Sequence, residues 1–121
     1  YDTDLAERMR EMEPELLHLL TREITSLGSW DALRYFLETG EEEATLDEIG
    51  MAAGRDSTAM LDILGALTGL GWLSRRANAG GKTVYKLTQE RSRRALLDQF
   101  HTSLHDRLFR LQAMYHWTRG R

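Results

Sequence analysis

His101 and His105 stand four residues apart, which on a helix turns both imidazoles to one side and suits a metal ion if Asp98, Asp106 or a His116 from a second chain completes the set. Two histidines on a charged helix more often serve at a surface or interface, so no metal is assigned to them. The second chemically suggestive group is basic: Arg75, Arg76, Lys82 and Lys86, with Arg91, Arg93 and Arg94 just beyond. Such side chains can lie along phosphate oxygens and release condensed counterions. The competing reading is a solvated basic face that answers acidic groups of the same chain or of its copy. Ser57 and Thr58 add hydroxyl donors at an expected helix start, where the exposed amides favour an anion. Catalytic chemistry finds no support, because no Ser-His-Asp set or closely spaced carboxylate pair has a fitting context. The chain has no cysteine, which removes disulfides, thiolate metal sites and cysteine nucleophiles. No cofactor is expected.

The elements that must hold these groups follow from apolar spacing. Leu5, Met9, Met12, Leu16, Leu19/Leu20, Ile24 and Leu27 recur at three- and four-residue steps, which predicts an amphipathic helical segment, restarted at Pro14 and ended at Gly28. Ser29 then reads as the cap of a helix carrying Trp30, Leu33, Phe36 and Leu37, stopped by Gly40; Glu41 to Glu43 read as a solvated loop. Thr45-Leu46-Asp47-Glu48 is a capping box that opens a short helix with Leu46, Ile49 and Ala53 inward. Gly54 breaks it, and Asp56 or Ser57 caps a third helix with Met60, Ile63, Leu64, Leu67 and Leu70 inward. Trp72-Leu73-Ser74 and Thr83 to Leu87 predict two strands joined by Asn78-Ala79-Gly80-Gly81. From about Gln89 to Trp117 the pattern predicts one long helix. Leu97, Leu104 and Leu111 are seven apart on it, as are His101, Leu108 and Tyr115. Leu97, Leu104, Leu108, Leu111 and Tyr115 are the expected dimer seam, and packing on this chain's own N-terminal helix is an equal alternative. Trp30 and Trp72 read as core; Trp117 fits either core or a partner interface.

Bulk properties set the frame. With 121 residues, 41% of them apolar and 29% charged, the chain suits one soluble domain, residues 1–121. Within it, 1–28 are N-terminal helices, 29–88 a core, and 89–121 a C-terminal dimerisation helix. No apolar run is long enough for a membrane span and no signal peptide is evident, so a cytoplasmic setting without membrane contact is expected. A net charge of −3 conceals a division: residues 1–62 hold 5 Lys/Arg against 16 Asp/Glu, and residues 63–121 hold 11 against 3. That polarity suits a basic face for nucleic acid, or two surfaces that attract within a dimer. A start at Tyr1 rather than Met is compatible with an excised piece.

Helix, capped short helix, turn, third helix and glycine-rich hairpin form, in order, a helix-turn-helix with a wing. The spacing of Leu64, Leu67, Gly71 and Leu73, followed by Tyr85-Lys86-Leu87-Thr88, resembles the winged-helix superfamily. The expected fold class is therefore mainly α: a winged helix-turn-helix with a two-stranded wing and long N- and C-terminal helices. Two segments look closer to one family. Leu27-Gly28-Ser29-Trp30-Asp31-Ala32-Leu33 and Ile63 to Leu73 are similar to segments of the N-terminal dimerisation domain of S-adenosylmethionine-dependent O-methyltransferases, with Thr45 to Ile49 between them in the matching place. The resemblance implies a non-catalytic module that pairs two subunits and adjoins a separate methyltransferase domain. Since no G-x-G-x-x-G loop occurs, methyl transfer by this chain alone is not expected.

Two functions stay open on these grounds. One is a homodimeric, non-catalytic dimerisation module, possible as part of a larger enzyme. The alternative is a small DNA-binding regulator that uses Ser57, Thr58, Arg75, Arg76, Lys82 and Lys86. The third helix argues against sequence-specific binding, because its outward residues Thr58, Leu61, Asp62, Gly65, Ala66 and Thr68 include no basic or amide side chain.

Overall fold

A computed structural model describes residues 13–119; Leu5, Met9 and Met12, and with them the start of the expected N-terminal helix, lie outside the described residues. In chain order the elements are α1 (Pro14–His18) continued by a π-helical turn (Leu19–Glu23), α2 (Leu27–Thr39), β1 (Glu43–Thr45), α3 (Leu46–Ala53), α4 (Ser57–Gly69), β2 (Leu73–Ala77), β3 (Thr83–Leu87), α5 (Arg91–Ser103) and α6 (Arg107–Arg119). The fold is mainly α, a winged helix-turn-helix with a small antiparallel sheet. Two compact units divide it: Gly28–Arg94, and Tyr1–Leu27 together with Ala95–Arg121.

The first unit contains the winged helix. Its core is built from Trp30, Leu33 and Phe36 of α2, Ile49 of α3, Met60, Leu64 and Leu67 of α4, and Trp72, Leu73, Tyr85 and Leu87 around the sheet, all buried. Each such side chain contributes roughly 1.5–3 kcal/mol on leaving water. The capping box forms as spaced: the Glu48 amide donates to Thr45 Oγ1 at 3.2 Å, and the Thr45 amide donates to Glu48 Oε1 at 2.9 Å. The Thr45 amide, and then its hydroxyl, hold the Glu48 carboxyl below the usual carboxylate range. α3 and α4 both end in Schellman motifs. The Arg55 amide donates to the Gly50 carbonyl and the Gly54 amide to that of Met51; the Trp72 amide donates to Leu67 and that of Gly71 to Thr68. Gly54 and Gly71 occupy the left-handed position of these motifs, with φ of +67° and +85°, where a side chain would strain the backbone.

Several expectations are corrected here. The helix capped at Ser29 begins two residues earlier, so Gly28 and Ser29 are both inside α2 and buried. Leu70 is exposed rather than inward, because α4 ends at Gly69 and the chain turns there. The wing is not two-stranded. Glu43, Ala44 and Thr45 pair with Lys86, Tyr85 and Val84, giving a three-stranded antiparallel sheet in the order β1-β3-β2. Ala44 is small enough to be buried opposite Tyr85, which draws part of the acidic stretch into the sheet. The hairpin turn is as expected: Asn78 Oδ1 accepts from the amides of Gly80 and Lys82, at 2.9 and 3.0 Å.

In the second unit, Leu16, Leu19, Leu20 and Ile24 are buried, as are Leu97, Phe100, Phe109, Ala113 and Trp117. Pro14 sits in the first turn of α1, where its missing N–H is not needed. The π-helical turn closes with the Ile24 amide on the Leu19 carbonyl, and the freed Ile24 carbonyl accepts the Trp117 indole N–H at 2.7 Å. Trp117 is thus a core residue. The expected single C-terminal helix is instead two. The amides of His105 and Asp106 turn back to Thr102 and Ser103, and Asp106 Oδ2 then accepts the Phe109 amide at 3.1 Å as the cap of α6. An Asp at that position favours a helix start over helix continuation, which interrupts the seven-residue spacing between Leu104 and Leu111.

Thr45→Ala is expected to lower stability by about 1 kcal/mol through loss of the cap. Trp117→Phe should lower it by about 1–3 kcal/mol by leaving a buried carbonyl without its donor. Urea unfolding of each variant beside the wild type measures both effects.

Candidate nucleic-acid interface

The basic, hydroxyl and helix-face groups that the sequence offers for a phosphate backbone or a base edge belong to the winged-helix unit. Burial of Met60, Leu64 and Leu67 turns the opposite side of α4 outward, so that Thr58, Leu61, Asp62, Gly65 and Ala66 are exposed along one stripe. Thr68 is half-buried, and its hydroxyl donates to the Leu64 carbonyl at 2.7 Å. The turn before α4 is fastened to α2: Arg55 Nη2 lies 3.3 Å from Asp31 Oδ2, and Arg34 Nη2 lies 3.1 Å from Asp31 Oδ1. The Arg55 pair ties the turn before α4 to α2 and no helical periodicity announces it, whereas Arg34 pairs with Asp31 at i,i+3 within α2 and braces the shared carboxylate.

The start of α4 is less open to an outside anion than its amides alone suggest. Asp56 Oδ1 already accepts the Ala59 amide at 2.8 Å, and Ser57 Oγ donates to Asp47 Oδ1 at 3.5 Å. Two carboxylates thus occupy the positive end of the helix dipole, where a phosphate would otherwise be favoured. Ser57 and Thr58 are both exposed, but Ser57 is engaged at this acidic end.

On the hairpin, the cations differ in availability. Ser74, Arg76, Val84 and Lys86 share one face of the sheet, joined across β3 by Glu43 and Thr45. Glu43 stands directly opposite Lys86 and forms a 2.6 Å ion pair with Arg76 Nη2. Arg75 alternates to the other face and is exposed; Lys82, at the end of the turn, is exposed too. Among the described residues neither Arg75 nor Lys82 forms an ion pair. Beyond the hairpin, Arg93 is engaged within the fold. Its guanidinium lies 4.8 Å from the Trp72 ring centroid, donates to the Leu70 carbonyl at 3.1 Å and pairs with Glu90 at 3.4 Å. Arg94 has a buried Nε without a hydrogen-bond partner, and Arg91 is exposed.

Elsewhere, the His101 and His105 rings are 5.6 Å apart, with His105 Nδ1 3.2 Å from the His101 carbonyl. Among the described residues no three His, Cys, Asp or Glu side chains gather as a metal site. Burial lowers the His116 pKa. No helix among the described residues is long and apolar enough to cross a membrane.

No family model matches the chain, nor does any curated protein sequence. Solved structures do match its fold. A MarR-family transcriptional regulator from Silicibacter pomeroyi superposes with a TM-score of 0.59 at 16% identity, over 90% of this chain and 66% of its own. This chain therefore spans just under two thirds of that protein's length. A probable transcriptional regulator from Pseudomonas aeruginosa gives 0.61 at 18% identity, covering 93% of this chain and 79% of its own. The PcaV transcriptional regulator from Streptomyces coelicolor also gives 0.61 at 18%, covering 93% and 80%. At such identities the likeness establishes the winged helix-turn-helix fold. These neighbours are regulators, and the similarity of residues 27–33 and 63–73 to methyltransferase segments finds no support among them. Those residues encode a helix start and a helix-to-strand corner, which many winged helices need whatever their function.

Glu43→Gln should release Arg76 from its ion pair and leave Lys86 without a carboxylate opposite it in the register. The variant is expected to elute from a heparin column at higher salt than Glu42→Gln, which changes net charge equally; equal elution would show that the Glu43 pairing withholds no positive charge.

Proposed function

We propose that this chain is a DNA-binding transcription regulator of the winged-helix type, cytoplasmic and homodimeric, without catalytic residues or cofactor. The observation that carries this reading is the open face of α4, held beside a hairpin whose Arg75 and Lys82 are exposed and without an ion pair. A helix of this kind enters the major groove while the wing follows the backbone. That the similar solved structures are of transcriptional regulators adds weight. Backbone attraction comes chiefly from the wing, because Asp47 and Asp56 occupy the start of α4.

Homodimerisation rests on α6. Leu108, Leu111 and Met114 are 38%, 47% and 38% exposed, and Tyr115 and Leu104 are half-buried beside that run. Leu97, by contrast, is wholly buried and contributes to this chain's own core. The partner surface is accordingly assigned to Leu104, Leu108, Leu111 and Tyr115.

A second reading, a non-catalytic protein-contact module, is favoured by the carboxylates of Asp47, Asp56 and Asp62 on and beside α4. It differs in what the open face meets. An adjoining methyltransferase domain gains nothing from the solved structures compared.

Binding to mixed-sequence duplex DNA, followed over a salt series, separates the two. Wild-type affinity is expected to fall steeply with salt, and replacing Arg75 and Lys82 with alanine should reduce the logarithmic slope by about 2. No measurable binding at low salt would leave the protein-contact module in possession. Serine at both Leu108 and Leu111 should yield monomers in sedimentation, and a wild type already monomeric would contradict the dimer.

A further inference from the structure

The proposed regulator has an unusual reading helix, and the side chains on it limit which bases it can recognise. Guanine is read from the major groove by arginine or lysine donating to O6 and N7, and adenine by a bidentate asparagine or glutamine. From Ser57 to Gly69 there is no such residue. The open stripe instead consists of Thr58, Leu61, Asp62, Gly65 and Ala66, all exposed, with Leu61 at 49%. In helix-turn-helix proteins the N-terminal turns of this helix are the ones that meet base edges, which singles out Thr58, Leu61 and Asp62.

Each of these has one good match in the groove. Leu61, Ala66 and the Thr58 methyl are apolar surfaces that fit the C5-methyl group of thymine; Asp62 is an acceptor only, which fits the N4 amino group of cytosine. Both features lie on the exposed edge of a pyrimidine. Facing phosphates, the Asp62 carboxylate would be repelled; facing an amino donor on the groove floor, it gains a charge-assisted hydrogen bond. Gly65, having no side chain, leaves the backbone free to approach. Arg75 and Lys82 on the hairpin supply the positive charge that the helix lacks.

We propose that α4 reads a pyrimidine-rich strand, with thymine methyls against Leu61 and Ala66 and a cytosine amino group at Asp62. This inference rests on the DNA-binding reading and assigns the base class that the same face selects. Guanine, which offers only acceptors there, is disfavoured at Asp62, and so is adenine, whose N7 acceptor beside N6 would face the carboxylate.

The test is selection of duplexes from a random library by the wild-type chain, repeated with Asp62→Asn and Leu61→Ala. Both residues are exposed, so the variants are expected to fold. The wild type should enrich a run of thymine and cytosine on one strand of each half-site. Asp62→Asn should change one enriched position from cytosine to adenine, since an amide pairs with N6 and N7 of adenine. Replacing thymine by uracil in the enriched duplex should weaken wild-type binding about three- to fivefold per contacted methyl, and leave Leu61→Ala less affected. Salt-dependent binding with no pyrimidine preference, or an Asp62→Asn variant with unchanged preference, would overturn the pyrimidine assignment while sparing the DNA-binding reading. Absence of duplex binding by the wild type at low salt overturns both.

Discussion

Burial of one side of α4 governs the rest of the molecule's functional surface. Met60, Leu64 and Leu67 are enclosed completely, and a helix that advances 100° per residue cannot hide them without turning Thr58, Leu61, Asp62 and Gly65 to solvent. The two Schellman corners keep that orientation by ending α3 and α4 with their last carbonyls satisfied. The Arg55 ion pair with Asp31 fastens the intervening turn to α2. What α4 presents is therefore decided by what lies beneath it.

The hairpin shows how a charge count misleads when geometry is left out. Arg75, Arg76, Lys82 and Lys86 look equivalent in one dimension, yet strand alternation sends Arg75 to the face opposite Arg76 and Lys86. Glu43 then arrives from a strand 33 residues before Arg76, pairs with that guanidinium and stands opposite Lys86 in the register. Arg93, which seems to extend the basic cluster, instead covers Trp72 and the end of α4. Part of the apparent positive surface, Arg76 and Arg93, is thus answered by the protein itself.

Much of this fold was legible because it rests on local chemistry. Thr45 and Glu48, Asp56, Gly54, Gly71 and Asn78 each act over three or four residues, and each does in the structure what its spacing implies. Long-range choices were not. A three-residue strand such as Glu43–Thr45 carries too little alternation to be told from a loop. The seven-residue recurrence through Leu97, Leu104 and Leu111 suggested unbroken helix, and one carboxylate, Asp106, divided it. The similarity to methyltransferase segments came from corners that winged helices share, so it spoke to shape and not to chemistry. At the candidate interface, residue types could be read in advance; which cations remain open depended on partners distant in sequence.

The bond from the Trp117 indole to the Ile24 carbonyl places one of the chain's three tryptophans inside the unit of flanking helices, whereas Trp30 and Trp72 are enclosed in the winged helix. Nature has thereby distributed intrinsic chromophores across both bodies. Ultraviolet emission from an indole responds to the water and dipoles around it, so melting of either body carries its own optical signature, and the order in which they open is visible without a dye.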